Sequence, residues 1–260
     1  MMGPVTGWVL AGGGSRRMGR DKAQLAWADR TLLDWAIQRL RPICASVQIL
    51  SSDSAHARPG IARVPDARAD SGPLGGLVAG LRASPTAWNL FLAVDMPRVG
   101  GAALRRLLAE ASGECTAVAY LVGEQPQPLV ALYHRRAQVA LEAALAAGQW
   151  RMQDRLHALK TKLIPLMQDH PDFSNVNRPE DYPAVPVRVL LFASFRERIG
   201  FSDREMVFPD TAALRNWLIT VHPPAESMPY RIAVNQEIVA EDIALQAGDV
   251  VAVMPPFAGG

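Results

Sequence analysis

Three consecutive glycines, Gly12-Gly13-Gly14, stand directly behind an apolar run, Val5–Leu10, and they constrain this 260-residue chain more than any other feature. The run is short and bounded by a turn signal, as a buried strand would be. Glycine adopts dihedrals closed to other residues and lets the backbone approach a ligand closely. Successive amide N–H groups in such a loop can form a nest for phosphate oxygens. Arg16, Arg17, Arg20 and Lys22 follow within seven residues, balanced only by Asp21. Arginine supplies a bidentate fork and lysine a point charge. The string fits neither GxxxxGK[ST] nor GxGxxG, so it is not a Walker loop or a dinucleotide fingerprint. It calls for an anionic ligand at the end of the first strand.

Up to about residue 183 further β-type runs appear at Val47–Ser51, Asn89–Val94, Thr116–Tyr120 and Leu129–Tyr133. Helical spacing lies between them: Leu32, Leu33, Trp35, Ala36 and Leu40; Leu104, Leu107 and Leu108; Leu141 and Leu145. Strands alternating with helices predict an α/β unit with a mostly parallel sheet covered on both faces. Ligands of such sheets sit beyond the carboxyl ends of strands. Asp95 follows the apolar run Phe91-Leu92-Ala93-Val94 at such an end. A carboxylate buried there needs a partner, and beside a phosphate loop Mg²⁺ is the economical one. Gly72-Pro73-Leu74-Gly75-Gly76 reads as a turn opening the helix through Leu77 and Leu81.

Pro179, Pro183 and Pro186 then fall within eight residues, a density that marks a domain boundary. The period resets at Val185. Val187–Phe192 and Glu205–Phe208 read as strands, and Pro209-Asp210-Thr211 as a helix start. Leu214, Trp217, Leu218 and Val221 make one apolar helix face. Arg231–Val234, Ile238–Val239 and Asp249–Val253 complete a small α+β unit of one helix on a mixed sheet. Two domains are therefore expected, residues 1–183 and 186–260.

The formal net charge of +2 argues against a general nucleic-acid or membrane surface. No apolar run approaches bilayer length, and the N-terminus enters a strand rather than a signal segment, so a soluble cytoplasmic protein is expected. Cys44 and Cys115 lie outside metal or redox spacing and read as buried, reduced thiols. Most of the five histidines read as surface or interface residues.

The string Leu10-Ala11-Gly12-Gly13-Gly14-Ser15-Arg16-Arg17-Met18-Gly19-Arg20-Asp21-Lys22 resembles the LAGGxSxRMGxDK signature of the molybdenum cofactor guanylyltransferase family at every fixed position. Asp66 with Gly72–Gly76, the Asp95 segment, and Phe173-Ser174-Asn175-Val176-Asn177-Arg178-Pro179-Glu180 fit that family in order. The resemblance spans residues 5 to 181. It implies a Rossmann-like nucleotidyltransferase that moves GMP from GTP to molybdopterin and releases pyrophosphate. It implies nucleotide contacts at Leu10, Ala11, Gly12, Gly13, Gly14, Ser15, Lys22, Asp53, Asp66, Gly72, Pro73, Leu74 and Asp95. Arg17, Lys22 and Asp95 take catalytic roles in it, Asp95 holds Mg²⁺, and Asn175 and Asn177 serve the substrate. Asp53 stands where the family often carries Asn, which leaves guanine against cytosine open. A cytidylyl or sugar-phosphate nucleotidyltransferase is the competing reading.

The last residues, Gly248-Asp249-Val250-Val251-Ala252-Val253-Met254-Pro255-Pro256-Phe257-Ala258-Gly259-Gly260, end a strand on a proline pair and then on two glycines. Residues 186 to 260 resemble the sulfur-carrier subunit of molybdopterin synthase, a ubiquitin-like β-grasp fold. That resemblance implies a Gly260 thiocarboxylate, an adenylating and sulfurating enzyme, and the large synthase subunit as partners. A non-catalytic interaction module is the alternative. For Phe192 and Phe195 alike, docking surface and core packing are both open readings.

Overall fold

The computed structural model describes residues 3–12, 21–27, 30–68, 71–168, 170–173 and 184–255. Gly13, Gly14, Ser15 and Arg17 of the basic loop, Asn175, Asn177 and Gly260 lie outside the described residues. The chain divides into two compact units, Met1–Gly14 with Arg30–Asn175, and Ser15–Asp29 with Val176–Gly260. No helix among the described residues is long and apolar enough to cross a membrane.

In the first unit β1 (Val5–Leu10) is buried at every position, which is why its sequence does not alternate. After β2 (Ala26–Trp27), which lies in the segment grouped with the second unit, β3 (Arg30–Thr31) leads to α1 (Leu32–Leu40). Thr31 caps α1 by accepting the Asp34 N–H at 3.1 Å. β4 (Ser46–Leu50), β5 (Arg63–Val64), α2 (Pro73–Ala83) and β6 (Trp88–Ala93) follow. Then come α3 (Gly101–Ala109), the hairpin β7 (Ala117–Val122) and β8 (Gln125–His134), α4 (Gln138–Ala146), α5 (Met152–Ala158) and β9 (Thr161–Leu166). The sheet order is β5-β4-β1-β6-β8-β7-β9. β8 runs against both neighbours while the remaining pairs are parallel, so the expected mostly parallel sheet is the one found. Trp8, fully buried, donates its indole N–H to Asn89 Oδ1 at 2.9 Å and stacks on Phe91, tying β1 to β6.

The carboxyl ends of β1, β4 and β6 are drawn together by the backbone. Ala11 and Gly12 both donate to the Leu50 carbonyl at 3.1 Å, and the Val94 N–H donates to the Leu10 carbonyl. β8 pairs with β6 only from Val130 onward, while Gln125 and Pro126 pair with β7 alone. Its first residues therefore extend past the end of β6, on the side where Asp95 lies.

The second unit contains β10 (Val185–Leu191), α6 (Ala193–Ile199), β11 (Asp203–Phe208), α7 (Thr211–Val221), β12 (Arg231–Val234), β13 (Glu237–Val239) and β14 (Val250–Met254). The sheet order is β11-β10-β14-β12-β13, with β10 and β14 parallel at the centre and the other pairs antiparallel. Asp210 caps α7 through the Ala213 N–H. Leu214 and Leu218 of that helix meet Val187, Val189, Val251 and Val253 in one apolar core. Two readings of the sequence are corrected here. A second helix, α6, turns Phe195 fully inward, while Phe192 stays about half exposed. Val221 is exposed at the end of α7 rather than part of its buried face.

Candidate active site

Asp66 is the centre of the arrangement beyond the strand ends. A Cβ on Gly12 would come within 3.3 Å of Asp66 Oδ2, and one on Gly76 within 3.2 Å of Oδ1. The same Cβ on Gly76 would meet Leu10 Cδ2 at 3.1 Å. Glycine at both positions thus makes the space in which the carboxylate sits. Burial pushes the Asp66 carboxyl above the usual carboxylate range. Leu10 and Ala11 are buried, and Gly12 is exposed. Since the Gly12 N–H is engaged by β4, what Gly12 brings to the site is the room beside Asp66.

Gly72 begins α2 with φ of 61°, a left-handed backbone that suits glycine, and Pro73 takes the first helical position. The first turn of α2 carries no acidic residue, so the positive end of the helix is not neutralised from within. Leu74 is buried under it. Asp95 lies in the turn two residues after β6 and is half-buried. Pro73 and Asp95 line one cleft of about 350 Å³.

Ser51 follows β4. Its hydroxyl lies 2.6 Å from His56 Nδ1 and accepts the Asp53 N–H at 3.0 Å, while Arg63 donates to its carbonyl at 2.8 Å. Asp53 is exposed, and its Oδ1 accepts the Ala55 N–H at 2.8 Å, capping a short turn. Ser51 and His56 are both buried, and this network fixes the loop that carries Asp53. His56, with His222, departs from the surface placement expected for most histidines. Neither Ser51 nor His56 was singled out by the sequence, where a lone serine and a histidine five residues on carry no signal.

Lys22 is half-buried at the start of a single turn, Lys22–Gln24, in which Asp21 accepts the Ala23 N–H at 3.1 Å. Both cysteines are unpaired thiols; Cys115 is buried and Cys44 partly so, with burial pushing the Cys44 thiol up to about 12. Leu10, Ala11, Gly12, Asp66, Gly72, Pro73, Leu74 and Asp95 thus gather at the carboxyl ends of β1, β4 and β6 and the start of α2, with Asp53 on the loop after β4. Two carboxylates, the start of α2 and a glycine-walled space lie at these strand ends.

Residues 7–160 match the family described as the MobA-like NTP transferase domain, and residues 189–260 match the ThiS family. The chain is 36% identical over 179 residues to the probable molybdenum cofactor guanylyltransferase of Deinococcus radiodurans, covering 68% of this chain and 92% of that protein. It is 33% identical over 181 residues to the molybdenum cofactor guanylyltransferase of Pseudomonas putida, covering 68% and 95%. Among solved structures it resembles molybdopterin-guanine dinucleotide biosynthesis protein A from Archaeoglobus fulgidus, with a TM-score of 0.58 and 26% identity over 68% of this chain and 94% of that one.

Proposed function

Because the chain belongs to the MobA-like NTP transferase family and resembles molybdenum cofactor guanylyltransferases over nearly their full length, we propose that residues 1–183 transfer GMP from GTP to molybdenum-bearing molybdopterin, and that the ThiS-family residues after them carry sulfur for the same cofactor. The observation that carries the first part is the Asp66 carboxylate seated between Gly12 and Gly76, with Asp95 beyond the end of β6. The domain limits assigned to the two activities are 1–183 and 186–260.

In the reaction a phosphate oxygen of the acceptor attacks the α-phosphorus of GTP. One P–O bond forms as the bond to the bridging oxygen breaks, and the electron pair leaves with pyrophosphate. A phosphate monoester has a second pKa of about 6, so the nucleophile is ionised near neutrality and needs no general base. Catalysis is then positioning and charge neutralisation. Asp66 and Asp53 face the nucleotide, with the Gly72-Pro73-Leu74 turn and the start of α2 beside it. Arg17 and Lys22 neutralise the departing pyrophosphate, and Asn175 and Asn177 serve the acceptor. The donor set fits Mg²⁺, which prefers one or two carboxylates completed by substrate phosphates and water. Asp95 would hold that ion, and the ion would supply charge neutralisation at the α-phosphate. A cytoplasmic setting belongs to the same reading.

In the second unit the Gly260 carboxylate is adenylated by an ATP-using enzyme and converted to a thiocarboxylate. The tail beyond β14 then enters the large subunit of molybdopterin synthase and gives up its sulfur. Titration calorimetry of the intact chain with GTP, CTP and ATP, each with Mg²⁺, tests the first activity. The tightest binding is expected for GTP. A preference for CTP would reassign the base and make Asp53 the residue to examine.

A further inference from the structure

The cleft headed by Asp95 is lined on its far side by Gln127, Trp150, Met152 and Gln153, residues that the nucleotide does not need. They come from the extension of β8 past the end of β6 and from the start of α5. The sheet order sets β6 between β1 and β8, so Asp95 separates two flanks. Gly12 and Asp66 belong to the β1–β4 flank, and the cleft wall, apart from Pro73 of α2 and the Asp95-Met96 turn, belongs to the β8 flank.

Trp150 is unusual among the six tryptophans. Trp8 is fully buried, four others are half-buried, and Trp150 alone is exposed, at 43%. It is held there by local structure. Gly148, with φ of 71°, reverses the chain after α4, and Gln149 and Gly148 donate back to the Ala144 and Leu145 carbonyls. Arg155 donates to Gln149 Oε1 at 2.6 Å, and the Arg68 guanidinium lies 5.7 Å from the Trp150 ring centre. A large ring left 43% exposed in the wall of the cleft that Asp95 also lines offers a flat surface to a ligand.

The two glutamines give that surface an edge. Gln127 Nε2 donates to the Gln125 carbonyl at 3.3 Å, and Gln153 Nε2 to Gln125 Oε1 at 3.4 Å. These bonds fix the two amide planes, and Oε1 of each can accept. An acceptor pair beside an aromatic platform suits a flat heterocycle with adjacent N–H and amino donors, and Asp95 marks the end where its phosphate arm belongs.

We infer that Trp150 is the stacking platform for the pterin ring of the acceptor, with Gln127 and Gln153 accepting from its N–H edge. This rests on the guanylyl-transfer reading only for the identity of the acceptor. Guanine presents a similar edge, but the nucleotide is assigned to the opposite flank, at Gly12 and Asp66.

The test uses the full chain and a phosphate-free probe, 6-hydroxymethylpterin, titrated by calorimetry into wild type, Trp150→Ala and Trp150→Phe, with GTP and Mg²⁺ titrated in parallel. Loss of a stacking ring is expected to weaken the pterin about tenfold or more, with Trp150→Phe retaining most of the affinity. GTP binding should fall far less than pterin binding, since Trp150 reaches the nucleotide's side only through the Arg68 guanidinium. Equal pterin affinity in wild type and Trp150→Ala overturns the assignment, as does a loss confined to GTP. Wild type that binds GTP but no pterin overturns it while leaving guanylyl transfer standing. Trp150-dependent pterin binding without any GTP binding supports it and overturns the guanylyl reading instead.

Discussion

In the first unit three strands end on concave ground, where Asp66 sits between two glycines and Asp95 borders a cleft. In the second unit the central strand β14 ends at Met254, and the residues assigned to its chemistry come after it in sequence. The difference follows from what each reaction asks of a protein. Phosphoryl transfer needs charges and dipoles fixed around the substrate before it arrives. A sulfur carrier needs a core firm enough to hold one strand, and a chain narrow enough to enter another protein's site. Sequence constraint therefore falls on small residues with particular neighbours in the first unit, and on the apolar core in the second.

The largest effect that would break or sharpen this contrast is expected from Phe195→Ala. Phe195 is fully buried, with the rings of Tyr230 and His222 at 5.7 and 6.0 Å. Truncating such a residue costs about 3–5 kcal/mol. That is comparable to the stability of a domain this small. Hydrogen exchange should show β10 and β14 losing protection while β1 and β6 keep theirs, with GMP transfer retained. Loss of GMP transfer in this variant would mean that the units do not stand separately.

Asp95→Ala is the reciprocal experiment. Removing a group that stabilises developing charge lowers kcat by about 10²–10³. Thiocarboxylate formation on the same chain, followed by mass spectrometry, should continue at the wild-type rate. Full GMP transfer by Asp95→Ala would remove Asp95 from the metal and the reaction.

Much of this was legible in the residues, and the failures have physical causes. Val5–Leu10 appeared at its observed bounds because a strand buried on both faces is apolar throughout. β9 escaped notice because Pro165 stands in it, and proline removes a ladder donor. The structure places β9 at the sheet edge, paired with β7 alone, where that loss is tolerated. α6 is only seven residues long, too short for a periodicity to show. Within the site, Asp95 was visible because a carboxylate after an apolar run is unusual, and Asp66 only through the family resemblance, its glycine neighbours being set by the fold. Ser51, His56 and Trp150 depend on loops that converge only in three dimensions.

A smaller effect is expected from Gly75→Ala, which probes how closely α2 is fitted. A Cβ there would overlap Ser71 Oγ and lie 3.1 Å from the Arg68 carbonyl. Ser71 is buried and donates to that carbonyl at 2.6 Å, so it would have to leave its bond. Overpacking of this kind costs about 1–3 kcal/mol. The thermal transition of the first unit should fall while that of the second does not move. An unchanged first transition would mean that the turn before α2 yields without cost, and that glycine at 75 is not required by packing.

The smallest and most informative effect is expected from Asp66→Asn, where stability and function should move in opposite directions. Burial raises the Asp66 carboxyl above its ordinary 3.8 in the folded protein. Below that value both folded and unfolded chains hold the proton, and nothing is lost. As pH rises through the window from 3.8 to the raised value, the unfolded chain ionises first and folding stability declines. At neutral pH the wild type therefore carries the deficit, and asparagine, which cannot ionise, relieves it. Denaturant titrations at about pH 3 and about pH 7 should show the Asn variant gaining on wild type only at the higher pH, while its GTP affinity falls. A variant no more stable at neutral pH would show that the carboxylate is compensated within the fold. It would then no longer be a charge held ready for a ligand, and the contrast between a strained first site and a relaxed second unit would lose its main support.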